Sequence, residues 1–109
     1  MIALIEQHKS RIVEACQKFG VQRLEVFGSA VRGDFDEQKS DLDFIAQFIP
    51  PLHPGVADRF LGLADSLEEI FSRRVDLLTE AMIRNPIFRE EVNRDRMPIY
   101  DHRGTETPA

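Results

Sequence analysis

One apolar stripe at helical spacing, set between two short apolar segments, constrains the fold of this chain more than any other feature. The stripe recurs at intervals of 4, 3, 4 and 3 residues: Val56, Phe60, Leu63, Leu67 and Ile70. This spacing puts the five side chains on one face of a helix, which we expect over residues 54–73. Segments 41–48 and 74–78, which flank it, are short and apolar and predict strands. A strand, a long helix and another strand in succession indicate an α/β fold.

The rest of the chain adds helices and short strands to this unit. The further predicted elements are an amphipathic helix at 2–19 that ends at Gly20, a strand at 23–27, one helical turn at 29–33, a polar loop at 34–40, a helix from Asn85-Pro86 to about 95 and an extended segment at 97–100. Residues 101–109 are polar and aperiodic, so we expect a disordered tail after a single domain at 1–100. The fold class predicted from these elements is α/β, a small sheet covered by helices.

Composition narrows the classes of partner. Of 109 residues, 42% are hydrophobic and 30% charged, and 14 basic residues face 19 acidic ones, for a net charge of −5. Tight non-specific binding to nucleic acid requires positive charge, so direct nucleic-acid binding is not expected. The single cysteine, Cys16, excludes an internal disulfide and fits a reducing compartment. No apolar run nears the roughly 20 residues of a membrane span, and the first residues do not resemble a secretory signal, so we expect a cytoplasmic protein with no membrane role.

Asp41 and Asp43 form the first candidate element of a functional site. Residues two apart in a strand point to the same side, so both carboxylates share one face, about 6–7 Å apart, while Leu42 and Phe44 point to the core. A carboxylate pair of this kind suits a hard divalent cation such as magnesium. An acidic pair on a solvent-facing edge strand, with no ligand, is the alternative interpretation.

Gly28-Ser29, at the end of the strand at 23–27, is the second candidate element. Glycine allows a ligand to approach the backbone closely, and the amide groups of an opening helical turn together with a serine hydroxyl suit a phosphate group. A plain strand-to-turn junction would have the same sequence.

Asp76, in the segment RRVDLLTE, is the third candidate element because it interrupts an apolar strand. Burying a lone carboxylate is costly, so we expect Asp76 to have a cation or a hydrogen-bond partner. If its strand lies beside the strand at 41–48, Asp76 completes a cluster of three carboxylates. A salt bridge to Arg73 or Arg74, or simple exposure, would explain this aspartate equally well.

The order of these motifs, GS, RGD, SDLD and a later VD, resembles the DNA polymerase β-type nucleotidyltransferase superfamily, and within it the minimal nucleotidyltransferases (MNT) that partner HEPN toxins. The match extends to about Tyr100. It implies a small mixed β-sheet flanked by helices, the palm-like fold of that superfamily. One departure is that Ala30 to Ser40 is one residue longer than the family's usual spacing between the serine and the first aspartate, which we place in the loop FDEQK.

The resemblance also implies roles for individual residues. Asp41 and Asp43 would bind two magnesium ions, and Asp76 would bind one of them and help deprotonate an attacking hydroxyl. Gly28 and Ser29 would hold the triphosphate of ATP. Arg32 is a further candidate for contact with phosphate, and a salt bridge from Arg32 to Asp34 or Asp36 is its alternative.

The function implied is a magnesium-dependent protein adenylyltransferase. It would transfer AMP from ATP to a tyrosine of a HEPN ribonuclease toxin and so act as its antitoxin in a hetero-oligomer. We expect a protein acceptor because this short sequence has no segment for binding a sugar, an antibiotic or a nucleic acid. The alternatives are a non-catalytic antitoxin that neutralises by binding, and nucleotidyl transfer to a small molecule or an RNA end. The sequence assigns no residue to the nucleobase.

Overall fold

A four-stranded mixed sheet with helices on both faces organises the chain, of which the computed structural model describes residues 3–33 and 41–103. The elements in chain order are α1 (Ala3–Gln7), α2 (Lys9–Lys18), β1 (Val21–Phe27), α3 (Ser29–Arg32), β2 (Leu42–Phe48), α4 (Val56–Phe71), β3 (Val75–Leu78), a 3-10 turn (Glu80–Met82), α5 (Pro86–Asp95) and β4 (Met97–Asp101). The predicted α/β class and the mixed sheet are confirmed.

The strand order of the sheet is β3-β2-β1-β4. Strand β1 is antiparallel to both β2 and β4, whereas β2 and β3 are parallel. The parallel pair needs a crossover connection, and α4, the helix of the apolar stripe, supplies it. The resulting register aligns three residues in one row across the sheet, Phe27 of β1, Asp43 of β2 and Asp76 of β3.

The larger core lies between one face of the sheet and helices α2 and α4. Its fully buried side chains include Ile12, Leu24, Phe44, Leu63 and Leu67. Cys16, predicted as a small core residue, is also fully buried, and burial raises the pKa of its thiol to about 12. Three residues of the predicted stripe, Leu63, Leu67 and Ile70, are buried, and Val56 and Phe60 pack against the same core.

The opposite face of the sheet carries a smaller core beneath α5. Its buried members are Phe27, Ile45, Ile83 and Val92. Helix α5 begins where the sequence predicts, because the side-chain oxygen of Asn85 accepts hydrogen bonds from the N–H groups of Ile87 (2.8 Å) and Phe88 (3.2 Å). This cap satisfies two amides that a helix N-terminus leaves unpaired, and it fixes where α5 starts over the sheet.

The structure differs from the sequence interpretation at both ends of the chain. The helix predicted over 2–19 is interrupted at His8, where the side chain turns against Phe71 with ring centroids 5.4 Å apart. Strand β4 continues through Asp101, where the polar tail was expected to begin, and the Asp101 carboxylate pairs with Arg23 at 3.2 Å. Residues 104–109 of that tail and the polar loop 34–40, with its additional residue, lie outside the described residues. None of the helices in the described ranges has the length and apolarity needed to cross a membrane.

Candidate active site

The candidate site lies on the α5 side of the sheet, where β1 ends and where β2 and β3 begin. The row formed by Phe27, Asp43 and Asp76 crosses the sheet at this point. Asp41 lies two residues before Asp43 and therefore on the same side of the chain. The three carboxylates predicted from the sequence are thus brought together by the parallel pairing of β2 with β3, and all three line one cavity of about 590 Å3.

Gly28 links the carboxylates to the turn that follows β1. Its backbone has φ +79° and ψ −148°, a conformation essentially restricted to glycine, and its carbonyl accepts hydrogen bonds from the N–H groups of Val31 and Arg32. A Cβ placed on Gly28 would lie 2.6 Å from Oδ2 of Asp43. The backbone therefore approaches this carboxylate as closely as it can, and only glycine fits there.

Asp43 is the most perturbed carboxyl group of the site. Its pKa is raised to about 6, first by burial and then by the neighbouring Asp76 carboxylate, which also shares a hydrogen bond with it, with a smaller contribution from Asp41. Arg32 opposes this increase only weakly. Burial disfavours the ionised form of this carboxyl group, and the two neighbouring carboxylates add to that effect.

Asp76 is more open to water than Asp41 and Asp43. Its exposure is one of the alternatives that the sequence left open: β3 alternates, and this side of the strand faces the open cavity rather than a second packed layer. Across the parallel pair, Asp76 lies opposite Asp43. Asp41 instead has Arg74 as a neighbour, with its Oδ2 at 3.9 Å from the guanidinium.

The donor set of the site is chemically suited to magnesium, which prefers carboxylate oxygens. Within residues 3–33 and 41–103, however, no three His, Cys, Asp or Glu side chains are gathered as a preformed metal site. Holding one cation together would require the three carboxylates to gather more closely than they do here.

Helix α5 contributes a wall of the cavity that sequence reasoning missed. Phe88, Glu91, Val92 and Asp95 all line it. Their spacing of three, one and three residues is that of one helical face, and this periodicity was the available signal. The sequence predicted the helix but could not show which of its faces would lie over the carboxylates.

Gly28, Ser29 and Arg32 also line the cavity, so all six predicted site residues share it. Arg32 donates a hydrogen bond to Asp95 of α5 at 3.0 Å, a partner that the sequence interpretation did not consider. Its proposed alternatives, Asp34 and Asp36, lie outside the described residues. Among the described residues, five carboxylate side chains and one guanidinium line the cavity, so this part of its lining is acidic.

Known proteins are similar to this chain in sequence and in fold. The profile of the nucleotidyltransferase domain family matches residues 9–100. The protein adenylyltransferase MntA of Thermococcus cleftensis is 34% identical over 87 residues, which cover 78% of this chain and 79% of that protein. A Methanocaldococcus jannaschii protein, assigned by its name to the protein adenylyltransferases, is 30% identical over 92 residues, or 84% of this chain and 87% of that one.

Solved structures give the same result for the fold. A structure named for a minimal nucleotidyltransferase superposes with a TM-score of 0.69 at 29% identity and covers 86% of this chain and 91% of its own. A complex of a tri-AMPylated Shewanella oneidensis HEPN toxin with its MNT antitoxin matches with a TM-score of 0.59 at 14% identity, covering 93% of this chain and 76% of that chain. The resemblance inferred from the GS, SDLD and VD motifs is confirmed.

Proposed function

Because the chain belongs to the nucleotidyltransferase domain family, we propose that it transfers AMP from ATP to a hydroxyl group of a partner protein. One observation carries this proposal. Asp43 and Asp76 oppose each other on adjacent parallel strands, in the cavity that also contains Asp41 and the Gly28-Ser29 turn. A cluster of carboxylates beside a turn that suits a phosphate is the arrangement that phosphoryl transfer requires.

Asp41, Asp43 and Asp76 would hold two magnesium ions. Their fit to this role rests on the oxygen-only donor set and on their shared lining of one cavity, where the neighbouring Asp76 and Asp41 carboxylates add to the effect of burial in raising the pKa of Asp43. Bound magnesium would neutralise charge on the phosphate oxygens and lower the pKa of the acceptor hydroxyl. The same carboxylates would repel a triphosphate that arrives without metal.

Gly28 and Ser29 would hold the triphosphate. Both residues line the cavity beside the carboxylates, and Ser29 is the first residue of the turn α3. Arg32 ends the same turn and supplies the guanidinium of the cavity, where a phosphate would compete with Asp95 for it. Phosphate contacts of this kind position the reacting atoms rather than perform chemistry.

In the proposed reaction, the oxygen of the acceptor hydroxyl forms a bond to the α-phosphorus of ATP, and the bond from that phosphorus to the departing pyrophosphate breaks. Asp76, which is exposed to the cavity, would accept the proton of the hydroxyl. The protein would contribute mainly by aligning the two substrates.

We propose that the acceptor is a HEPN toxin and that the modified side chain is a tyrosine, which would make this chain its antitoxin. Support comes from the relative named protein adenylyltransferase MntA, whose length this chain matches over 79%, and from the shared fold of the MNT antitoxin that was solved with an AMPylated HEPN toxin. We also propose a cytoplasmic location, where both ATP and a ribonuclease target are present.

The test uses ATP labelled at the α-phosphate, magnesium and a HEPN toxin that the chain binds. Wild-type protein is expected to label the toxin on tyrosine, and the double variant Asp41→Asn, Asp43→Asn is expected to bind the toxin without labelling it. No label on a toxin that is demonstrably bound by wild-type protein would overturn the proposal. Full neutralisation by the folded double variant would instead show that the antitoxin acts by binding.

A further inference from the structure

Phe88 is the one aromatic side chain of α5 on the cavity, and its ring faces open space. It is 37% exposed, whereas its neighbour Ile87, 73% exposed, does not line the cavity. Isolated exposed apolar residues are ordinary on protein surfaces, so exposure alone carries no meaning. The position of Phe88 opposite the carboxylates is what distinguishes it.

The ring of Phe88 is held in place from one side. Its centroid lies 6.2 Å from that of Phe27, and the two planes meet at 72°, an edge-to-face contact. Phe27 is buried in the sheet, and the backbone N–H of Phe88 donates to the Asn85 cap. A ring held by this contact and by its own backbone, with exposed surface in a cavity, is a preorganised surface for stacking.

Along β3, the side chains that line the cavity change from acidic to apolar. Asp76 lies beside the other carboxylates, and Leu78, two residues further and on the same side of the strand, lies about 6–7 Å away. Leu78, Phe88 and Val92 make this second part of the lining apolar. A nucleotide has the same division, with a charged phosphate chain at one end and a flat aromatic base at the other.

We infer that the ring of Phe88 is the surface on which the nucleobase of the bound nucleotide stacks. The inference rests on the proposed function, because it presupposes a nucleotide in this cavity. Leu78 and Val92, which line the cavity with Phe88, are apolar and suit the flat surface of a base. Stacking on an aromatic side chain is itself tolerant of base identity.

The first measurement is the affinity for the ATP analogue AMP-PNP with magnesium, in the absence of an acceptor protein, by titration calorimetry. Phe88→Ala is expected to bind roughly 5- to 100-fold more weakly than wild type, the range that loss of one base–aromatic stack gives. Phe88→Tyr keeps the ring and is expected to retain the affinity within about twofold. Ile87→Ala removes an adjacent, more exposed apolar side chain outside the cavity and is expected to have no effect.

The second measurement separates the base from the phosphates. Inorganic tripolyphosphate with magnesium lacks a base, so Phe88→Ala should bind it as wild type does. Because the chain contains no tryptophan, Phe88→Trp also provides a single tryptophan whose fluorescence can be excited selectively. Its emission is expected to change on addition of magnesium AMP-PNP and not on addition of magnesium tripolyphosphate.

The outcomes are distinguishable. If wild type binds AMP-PNP and Phe88→Ala binds it within about twofold, or if Ile87→Ala loses as much affinity, the role of Phe88 is overturned while the proposed function stands. Equal losses for tripolyphosphate and AMP-PNP would likewise show that Phe88 supports the cavity rather than the base. If wild type binds no nucleotide with magnesium, both the proposed function and the stacking role of Phe88 are refuted.

Discussion

At the scale of single residues, the site depends on one close approach between Gly28 and Asp43. The Gly28 backbone leaves no room for a Cβ beside Oδ2 of Asp43, so the turn and the carboxylate are positioned as one unit. The sequence could predict both residues from local motifs, because Gly-Ser after a strand and alternate aspartates within one each carry their own signal. It could not predict that the two touch, since they come together only through the pairing of β1 with β2.

Gly28→Ala is therefore expected to lower nucleotidyl transfer by roughly 100-fold or more, because the added Cβ displaces the Asp43 carboxylate. It should also lower the free energy of unfolding by about 1–3 kcal/mol through backbone strain at φ +79°. Gly33→Ala is the matched control: its φ is +94°, but a Cβ there meets nothing within 4 Å. This control should lose stability and keep activity in a labelled-ATP assay, and an equal loss of activity would refute the steric argument.

Asp43→Asn is expected to stabilise the metal-free protein while removing its activity. The pKa of Asp43 is raised in the fold from 3.8 to about 6, so ionising it costs folding free energy. This cost is absent below about pH 4, grows as the pH rises through 6 and is constant above. At pH 7.5 the gain should be about 1 kcal/mol, less than the shift alone implies because water screens the partly exposed group.

Urea unfolding in the presence of a chelator measures this difference at pH 4 and at pH 7.5. The variant and the wild type should be nearly equal at the lower pH and should differ at the higher one. A stability difference that does not change between the two pH values would contradict the assigned cause.

At the scale of elements, an ionic network fixes α5 over the sheet. Glu25 of β1 is only 6% exposed, and Nε and Nη2 of Arg96, at the end of α5, reach its carboxylate, the shortest contact being 2.6 Å. Arg96 also hydrogen-bonds Glu80 of the 3-10 turn, and Arg89 of α5 pairs with Glu80 at 3.0 Å. These contacts connect β1 and the segment after β3 to both ends of α5, the helix that bears Phe88.

Glu80→Gln is expected to lower the free energy of unfolding by about 0.5–1 kcal/mol at pH 7. The hydrogen bond from Arg96 is the main reason that the pKa of Glu80 lies below 4.5. A lowered carboxyl pKa stabilises the fold above the unfolded value, and this stabilisation is lost as the pH falls through the folded pKa. The difference from wild type should therefore vanish near pH 3 in urea unfolding.

Glu90→Gln is the control for this network. Glu90 is 80% exposed at its side chain and lies 3.9 Å from Arg94 of the same helix, so the substitution should change stability little at either pH. If Glu80→Gln behaved like Glu90→Gln at pH 7, the network would not be holding α5.

At the scale of the whole molecule, local patterns predicted the elements and the order of the motifs but not the contacts between distant segments. The stripe at 56–70, the Asn85 cap and the three carboxylates can each be recognised from a short stretch of sequence. Arg32 with Asp95 and Glu25 with Arg96 are separated by 63 and 71 residues, and neither pair has a local signature. The placement of α5 over the site, and hence the role of Phe88, follows from such contacts alone.

The charge of the whole molecule leads to a final prediction about metal. A chain of net charge −5, in which the described residues around the cavity include five carboxylates and one guanidinium, should bind ATP weakly unless magnesium accompanies it. In thermal unfolding, magnesium with ATP at about 100 times its dissociation constant should stabilise the fold by about 2.7 kcal/mol, an increase in melting temperature of roughly 10 °C. ATP with excess chelator should give almost none of this increase, and the Asp41→Asn, Asp43→Asn variant should show none with magnesium present. Equal stabilisation by ATP with and without the metal would mean that the carboxylates do not hold the cation through which the nucleotide binds.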